Sequence, residues 1–434
     1  MRTDQQRRYP ASDRLLERAL QSIPLGAQTF SKSITQYPRG VSPFFADRAQ
    51  GAKVWDVDGY EYVDFNNALC SITLGHVDPE VTAAVADQLG RGTIFTLSHE
   101  LEVEVAERII ACVPCAEKVR FGKNGSDATS GAIRVARAFT GRDRVATCGY
   151  HGWQDWYIGS TARNKGVPEA SRALTHPFPY NDLNALEALL NRHPGQFAAV
   201  ILEPMNVAWP EDDFLSKLAE LTRRHGALVI FDETITGFRF ALGGAQELFG
   251  VTPDLACFGK GLANGYPLSA VAGRADVMAE FEEVFFSFTM GGETLSLAAA
   301  KAAIDKMRQQ EVTAALASQG KVLMDQVEGL ISEHGCGDFL SMAGHPSWSF
   351  LIMRDHPHAT QFELKTLFLQ EVLARGVLTL GTHNMSFAHS DGDIAHLLRT
   401  YAEVFGLMRE ALNRPEGVRD SLNCAPLQPL FKVR

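Results

Sequence analysis

Short apolar runs without alternation are the feature of this sequence that most restricts its fold. From about residue 118, such runs each lead into a loop and then into a helical stretch: KVRFG, RVATCG, FAAVILEP, ALVIFDE and LACFG. A strand that is buried on both faces has this pattern, because both rows of its side chains are apolar. The repetition predicts an α/β fold with a mostly parallel central sheet flanked by helices, in which ligands bind at the carboxyl ends of the strands.

The rest of the chain predicts smaller parts around this sheet. VWDVDGYEYVDF places Asp58-Gly59 between two alternating runs, which is typical of a β-hairpin. We therefore expect residues 1–70 to form an N-terminal segment that belongs to a small domain. We expect residues 71–325 to form a large α/β domain and residues 326–434 to form a C-terminal α+β domain.

Charge and cysteine content argue against several classes of protein. The net charge of −10 at pH 7 argues against nucleic acid as the main partner, and no apolar run reaches the length of a membrane span. The start of the chain is polar and has no hydrophobic stretch of the secretory kind. The seven scattered cysteines predict a reducing, cytoplasmic location. Cys112 and Cys115 form a C-x-x-C, which can be a redox or zinc site or simply two half-buried thiols. We expect the second, and therefore no bound metal.

Polar and aromatic side chains follow the first two predicted strands. Asn124–Ser126 opens a helix, whose N-terminal N–H groups can bind an anion, although plain N-capping by Ser126 also explains these residues. Tyr150 follows the second strand and can stack on a planar ligand or merely pack. These two strand ends are compatible with a ligand that carries both an anionic group and a ring.

A carboxylate and a lysine follow two later strands. Asp232 ends a wholly apolar run, where a carboxylate is costly unless it is paired. Lys260 lies in DLACFGKGLANGYPL among glycines, where desolvation would lower its pKa and provide the neutral amine that arginine cannot provide. Pyridoxal 5′-phosphate (PLP) needs its phosphate held, its ring stacked, its pyridinium nitrogen paired with an acid and its aldehyde joined to lysine. The four strand ends together therefore predict PLP as cofactor.

These segments, in this order, resemble the class III aminotransferases, and most closely their glutamate-1-semialdehyde aminomutase branch. The resemblance runs from about residue 20 to about residue 410 and rests on six segments: VWDVDGYEYVDF, FGKNGSDATSGAIRVARAFTGRDRV, YHGW, LVIFDETITGFRF, PDLACFGKGLANGYPLSAVAGR and FTMGGETLSLAAAKAAI. It implies a PLP-dependent transferase of fold type I. It also implies a homodimer whose active sites are shared across the interface.

The resemblance implies a role for each residue around the cofactor ring. Lys260 would form the Schiff base with PLP, and Asp232 would pair with the ring nitrogen, so these two are the implied catalytic residues. Tyr150 would stack on the ring, and Thr234 would pack against its other face. Glu203 matches the family's Glu-Pro that ends a sheet strand near the cofactor.

The resemblance also implies a phosphate site. Asn124, Gly125 and Ser126 would hold the phosphate, joined by Thr289 of the partner subunit. Where the family usually has Ser-Gly-Thr-Glu-Ala, this chain has Asn-Gly-Ser-Asp-Ala, which retains hydrogen-bond donors.

The sequence departs from the aminomutase branch around the substrate. An early loop that carries an arginine in aminomutases offers Lys32 here, a point charge in place of a bidentate clamp. The late loop LGTHNMSFAH lacks that branch's glutamate and contains His383 and Asn384 instead. Trp153 can wall a substrate pocket and Arg239 can pair with a carboxylate, and each of these five residues also has an ordinary structural explanation.

The sequence therefore predicts a PLP-dependent aminotransferase with a ping-pong mechanism. It would move an amino group from an amino donor to a polar carbonyl acceptor, such as a keto sugar, a keto acid or an aldehyde. A 1,2-aminomutase of the glutamate-1-semialdehyde type and an amino-acid epimerase would keep every cofactor residue and remain alternatives. A nucleotide-binding P-loop is excluded, because Gly261 follows Lys260 where Walker A needs Ser or Thr. A serine hydrolase is excluded, because no G-x-S-x-G is present.

Overall fold

The computed structural model describes residues 9–415 and 417–428 of the chain. Its strands form sheets of seven, four and three strands. The strands are β1 Ala46–Gln50, β2 Lys53–Asp56, β3 Glu61–Asp64, β4 Lys118–Gly122, β5 Arg144–Cys148, β6 Thr175–Pro177, β7 Phe197–Leu202, β8 Leu228–Asp232, β9 Leu255–Phe258, β10 Ser269–Gly273, β11 Leu340–His345, β12 Trp348–Met353, β13 Val377–Leu378 and β14 Thr382–Asn384.

Helices connect most of these strands, and several begin at a reciprocal cap. Asn124, Thr360 and Ser390 each exchange hydrogen bonds with the carboxylate residue three positions on, which satisfies two N–H groups of the first turn. The α-helices are Pro10–Ser22, Pro79–Leu89, Glu100–Cys112, Gly125–Thr140, Asp155–Ile158, Glu169–Arg172, Leu183–Arg192, Phe214–Arg224, Ala245–Phe249, Ala275–Met278, Thr294–Gln309, Val312–Glu333, Gln361–Ala374 and Asp391–Asn413, and Asn67–Cys70 is a left-handed helical turn. The 3₁₀ helices are Pro24–Gly26, Phe30–Lys32, Lys260–Ala263, Ala279–Glu282 and Val418–Ser421.

The seven-stranded sheet has the order β4-β10-β9-β8-β7-β5-β6. Neighbouring strands from β9 to β6 run parallel, whereas β10 runs antiparallel to both β4 and β9. All five predicted strands belong to this sheet, so the predicted mostly parallel sheet with flanking helices is confirmed. Strands β4, β5, β7, β8 and β9 carry predicted cofactor residues at or just beyond their carboxyl ends.

The lack of alternation in these strands follows from burial on both faces. In β7, Val200 and Leu202 pack into one apolar cluster, which includes side chains of the helices Leu183–Arg192 and Phe214–Arg224. Ala199 and Ile201 of the same strand pack into a second cluster with the helix Gly125–Thr140. Each face therefore needs its own apolar row.

The described residues divide into two compact units. The central unit comprises 70–73 and 79–315 and contains the seven-stranded sheet, and the terminal unit comprises 9–69, 74–78 and 316–428. The predicted hairpin is confirmed in the terminal unit, where β2 and β3 pair antiparallel. The predicted domain boundaries at 70/71 and 325/326 stay predictions, and residues 1–8, 416 and 429–434 lie outside the described residues.

The C-x-x-C has no feature of a redox or metal site. Cys112 and Cys115 are free thiols, and burial raises the pKa of each to about 12. Within residues 9–415 and 417–428, no group of three or more His, Cys, Asp or Glu side chains is arranged to hold a metal ion. Across the same residues, no helix combines the length and the apolar character that a membrane span requires.

Candidate active site

A buried carboxylate lies at the carboxyl end of β8. One oxygen of Asp232, Oδ2, lies 2.9 Å from Nδ1 of His151, and the other, Oδ1, accepts hydrogen bonds from the backbone N–H and the hydroxyl of Thr234 at 3.1 and 2.5 Å. Both Asp232 and His151 are almost wholly buried. A carboxylate at the end of a fully apolar strand is tolerated because these donors pair with it.

The second nitrogen of His151 also has a partner. Nε2 of His151 lies 3.2 Å from the carbonyl oxygen of Cys148. A carbonyl oxygen only accepts hydrogen bonds, so Nε2 is the donor in this contact. The contacts of the two ring nitrogens fix the orientation of the imidazole beside the buried carboxylate. His151 was not among the predicted site residues, although a histidine directly after Tyr150 in YHGW was the available signal.

Lys260 follows β9 at the same edge of the sheet. Asp232 is paired in register with Cys257, so Lys260 begins a 3₁₀ turn just beyond the strand next to that carboxylate. Its φ of +46° is in the left-handed region, which a residue with a side chain adopts only where the surrounding structure imposes it.

Backbone from two strand ends approaches Thr234 closely. A Cβ added to Gly125 would lie 3.0 Å from Cγ2 of Thr234, and one added to Gly259 would lie 3.3 Å from the same methyl carbon. At position 125, a residue with a Cβ would require Thr234 to shift, so glycine is the residue that fits. The start of the helix Gly125–Thr140, Thr234 and the residue before Lys260 therefore converge.

The start of that helix is held in position by its cap. Asn124 Oδ1 accepts the N–H of Asp127 at 3.2 Å, and Asp127 Oδ2 accepts the N–H groups of Lys123 and Asn124, both at 2.9 Å. The alternative that Ser126 caps the helix is wrong, because Asn124 occupies the N-cap position. The hydroxyl oxygen of Ser126 instead accepts the N–H of Trp153 at 3.2 Å.

A second carboxylate orients the segment that carries Tyr150. Glu203 follows β7, is buried, and accepts the N–H of Tyr150 through Oε2 at 2.9 Å. The ring of Tyr150 meets that of Tyr157 edge to face with centroids 5.7 Å apart, and the hydroxyl of Tyr157 donates to the carbonyl of Gly149 at 2.7 Å. Glu203 thus fixes the backbone from which the predicted stacking ring projects.

Thr289 lies in an exposed loop before the helix Thr294–Gln309. The helix is capped by Glu293, whose carboxylate accepts the N–H of Leu295 at 2.7 Å. Nζ of Lys123 donates to the same carboxylate at 2.8 Å. This ion pair joins the residue before Asn124 to the loop that carries Thr289.

The predicted substrate residues occupy different kinds of position. Trp153 is exposed in the central unit, and Lys32 is exposed at the end of a 3₁₀ turn in the terminal unit. His383 is fully buried, with Nδ1 3.0 Å from the Ser349 hydroxyl and Nε2 2.8 Å from the Tyr401 hydroxyl. Burial lowers the pKa of His383 to about 3, with a smaller contribution from another histidine. A direct contact between this ring and a substrate would require one of these hydrogen bonds to break.

Asn384 is built into the backbone of the terminal unit. Its Nδ2 donates to the carbonyl of Asn66 at 2.5 Å, and its own carbonyl accepts from Nδ2 of Asn67 at 2.6 Å. Its backbone N–H donates to the carbonyl of Phe65 at 2.9 Å. These bonds hold the segment 65–67 beside β14.

The central unit's residues fit PLP. A buried, hydrogen-bonded carboxylate suits a pyridinium nitrogen, and the capped N-terminus of a long helix suits a phosphate. A Cβ added to Gly259 would lie 3.8 Å from Cα of Gly125, so the start of that helix and the segment of Lys260 lie close together. This fold and donor set define a PLP-dependent transferase of fold type I.

The chain belongs to the class-III aminotransferase family, whose sequence profile matches residues 36–387. It is 32% identical over 408 residues to a 3-aminobutyryl-CoA aminotransferase of Cloacimonas acidaminovorans (strain Evry), with 92% of this chain and 97% of that protein covered. It is 34% identical over 391 residues to a glutamate-1-semialdehyde 2,1-aminomutase of Aquifex aeolicus (strain VF5), with 85% and 92% covered.

A solved structure gives the same result for the fold. The PLP internal aldimine form of the Sphingopyxis sp. MTA144 FumI protein is similar with a TM-score of 0.86 and 30% identity, covering 96% of this chain and 98% of that one. The predicted family, fold type and cofactor are thereby confirmed. The relatives include both aminotransferases and aminomutases, so the family alone does not decide between the two reactions.

Proposed function

We propose that this protein is a PLP-dependent aminotransferase that moves an amino group from an amino donor to a polar carbonyl acceptor in a ping-pong cycle. The observation that carries the proposal is the buried Asp232–His151 pair. Asp232 ends β8, and the neighbouring strand β9 leads into Lys260. Such a pair has no evident purpose in a purely structural core, where apolar residues would pack at lower cost.

Each catalytic residue has a defined task in this proposal. Bound PLP supplies a ring that accepts electrons from the Cα–H bond of an amino substrate. Asp232, held by His151 and Thr234, keeps a proton at the ring nitrogen. Nζ of Lys260, as a neutral amine, takes the proton from Cα and returns it during the other half of the cycle.

The remaining cofactor residues bind and orient. Asn124, Gly125 and Ser126 bind the phosphate at the helix N-terminus, together with Thr289 of the partner subunit. Tyr150 stacks on one face of the ring and Thr234 packs against the other. Glu203 orients Tyr150 through its backbone N–H.

A homodimer is part of the proposal. Thr289 lies beside the exposed apolar side chains Phe285 and Met290, and the neighbouring segment exposes 82% of Leu97. The two segments are joined where Thr294 Oγ1 donates to the carbonyl of Thr93 at 3.1 Å. An exposed apolar patch of this kind is typical of a protein interface, and a second copy would cover it. The free cysteines support a reducing, cytoplasmic location for this dimer.

The acceptor site is the part of the proposal that depends on loops. We assign a direct contact with a polar or anionic acceptor to Trp153, which is exposed in the central unit. Lys32 is exposed in the terminal unit and is a separate candidate for such a contact. We assign no direct contact to His383 and Asn384, because both are buried and hydrogen-bonded within the terminal unit. The late loop offers these neutral groups where aminomutases have a glutamate, which favours release of a keto product over internal migration.

A half-reaction tests the proposal. Holoprotein is incubated with an amino donor, such as glutamate or alanine, and with no acceptor. We expect about one equivalent of keto acid per subunit to be released, and a set of keto acids, aldehydes and keto sugars to return the protein to its starting spectrum. If no donor yields a keto product, the aminotransferase assignment is wrong.

An aminomutase is the second candidate, and the 34% identity to the Aquifex aeolicus aminomutase favours it. Glutamate 1-semialdehyde distinguishes the two. An aminomutase would isomerise it without releasing a keto product, whereas the aminotransferase proposed here would not turn it over efficiently.

A further inference from the structure

The guanidinium of Arg239 is buried in the central unit against the segment Cys70–Thr73. Its Nη2 donates to the carbonyl of Cys70 at 3.3 Å and lies 3.2 Å from the hydroxyl oxygen of Thr73, and Thr73 is itself fully buried. The sequence predicts that Arg239 pairs with a carboxylate or caps a helix, and that pairing stays a prediction. The two contacts of Nη2 are to a carbonyl and a hydroxyl. A buried guanidinium is tolerated only where it is hydrogen-bonded, so these contacts fix the position of the segment.

The backbone that leads into this segment is strained. From Asn67 to Cys70, four consecutive residues with side chains have φ values of +42°, +47°, +58° and +69°. A left-handed turn without glycine brings each Cβ close to a carbonyl, and it persists only where other contacts impose it. Arg239 binds the carbonyl of the last residue of this turn and is one of those contacts.

The same segment packs on the turn that carries Lys260. A Cβ added to Gly261 would lie 2.6 Å from Oγ1 of Thr73, the hydroxyl that Arg239 contacts. Gly261 directly follows Lys260, whose own φ is +46°. A chain of contacts therefore runs from Arg239 through Thr73 to the backbone beside the lysine.

We propose that Arg239 is a positioning residue for the reaction, acting through Thr73 on the backbone that orients Lys260. The proposal rests on the proposed role of Lys260. It assigns Arg239 no contact with substrate, because the side chain is buried and its Nη2 is directed to Cys70 and Thr73. A small displacement of the reacting amine is enough to slow proton transfer while leaving substrate binding almost unchanged.

Hydrogen exchange of the cofactor-free protein tests the structural step. We expect Arg239→Gln and Thr73→Val to raise amide exchange at 70–73 and 260–264 about ten-fold, with the rest of the central unit unchanged. Thr73→Ser keeps the hydroxyl and should restore wild-type exchange. Arg224→Gln, at an arginine whose side chain is 63% exposed in the same unit, is the control for loss of a positive charge.

Kinetics of the holoprotein test the functional step. We expect kcat to fall about 10- to 100-fold in Arg239→Gln and Thr73→Val, with KM for the amino donor within about three-fold of wild type. A rise in KM at unchanged kcat would mean that Arg239 binds substrate, and faster exchange throughout the unit would mean that it serves the core only. Either result overturns the proposal, as does wild-type behaviour of both variants.

Two variants are used because Arg239→Gln can fail to fold. Thr73→Val keeps the volume of its side chain, so it still tests the contact if Arg239→Gln is lost. Failure of the proposed function is recognised separately. If borohydride does not fix the cofactor to Lys260 in the wild type, the role of that lysine is wrong. The exchange experiment needs no cofactor and still reports whether Arg239 holds the two segments.

Discussion

Asp232 and its partners show how several hydrogen bonds hold an acid in an apolar environment. The carboxylate has three donors, the imidazole and the two groups of Thr234, and the imidazole is held in turn by the carbonyl of Cys148. Each partner therefore has one orientation. An acid that meets a pyridinium nitrogen needs this fixed direction, because a swinging carboxylate would lose part of its interaction with the ring.

Replacing His151 by Phe tests this pair. The ring volume is largely kept, but Asp232 loses its donor at Oδ2, and a hydrogen bond to a charged group is worth about 1.5–3 kcal/mol. We expect the affinity for PLP, kcat, or both to fall about 10- to 100-fold. Cofactor affinity is measured by fluorescence titration, and His193→Phe in the same unit is the control. Wild-type affinity and rate in His151→Phe would show that the pair is dispensable.

His383 makes the stability of the terminal unit depend on pH. Its folded pKa of about 3 lies below the unfolded value, so between these values the unfolded chain binds more protons. The stabilisation is complete above about pH 6.5 and is lost progressively as the pH falls towards 3. At pH 5 the loss amounts to about 2 kcal/mol.

Urea unfolding at pH 7 and pH 5 measures this effect. We expect His383→Gln to be less stable than wild type at pH 7, because the hydrogen bonds to Ser349 and Tyr401 change, and to lose about 2 kcal/mol less between the two pH values. His334→Gln is the control for a less buried histidine. Equal pH dependence in the wild type and His383→Gln would contradict a buried, neutral ring.

At the scale of elements, two helix N-termini are joined by one ion pair. Lys123 precedes the cap of Gly125–Thr140, and Glu293 caps Thr294–Gln309, with the two side chains only 19% and 17% exposed. Burial alone would raise the pKa of Glu293, but hydrogen bonds from Lys123 and Ser296 lower it below its ordinary value. The pair thus ties the proposed phosphate site to the loop of Thr289.

Lys123→Met breaks this connection. We expect the affinity for PLP to fall about 3- to 10-fold, because a half-buried pair contributes more than an exposed one, which is worth at most about 1 kcal/mol. Lys118→Met is the matched control, since Lys118 pairs with Glu282 at 3.8 Å and both side chains are exposed. An equal effect of the two substitutions would show that only net charge matters.

Much of the sheet could be predicted because a strand buried on both faces has an apolar run that is visible within a few residues of sequence. The runs that became β7 and β8 are wholly buried, and their apolar character is local information. The direction of β10 was not predicted, because SAVAG has the same composition whether it runs parallel or antiparallel. The direction of a strand depends on the neighbouring strands with which it pairs, and these come from other parts of the chain.

Site residues could be predicted where the chemistry requires one residue type. They could not be predicted where their role depends on contacts with residues far away in the sequence. Lys260 and Asp232 stand out because a lysine and a carboxylate are expensive at apolar strand ends. The partners of Arg239 could not be predicted, because Thr73 is 166 residues away in sequence. The loop of His383 leaves either a substrate contact or a structural role open, and only the fold reveals that the ring is hydrogen-bonded to Ser349 and Tyr401.

At the scale of the whole molecule, the proposed shared site makes activity a property of two chains. Co-expression of Lys260→Ala with Thr289→Glu tests this. Each pure variant is expected to be inactive, since one lacks the amine and the other places a negative charge in the phosphate site. A mixed dimer would contain one site with an intact lysine that receives Thr289 of the partner subunit. We expect about a quarter of wild-type activity if the subunits pair at random.

The same two variants purified separately and mixed without subunit exchange are the control, and they should remain inactive. Activity of pure Thr289→Glu equal to that of wild type would show that Thr289 takes no part in the site. A monomer in solution would contradict the shared arrangement altogether.

Lys260 is the residue that we propose joins the cofactor. Borohydride reduction of the purified holoprotein, followed by proteolysis and mass mapping, measures this directly. We expect one covalent pyridoxyl group per chain, on Lys260 in the peptide DLACFGKGLANGYPL, and none in Lys260→Ala. A pyridoxyl group on another lysine, or folded protein that is never modified, would contradict it.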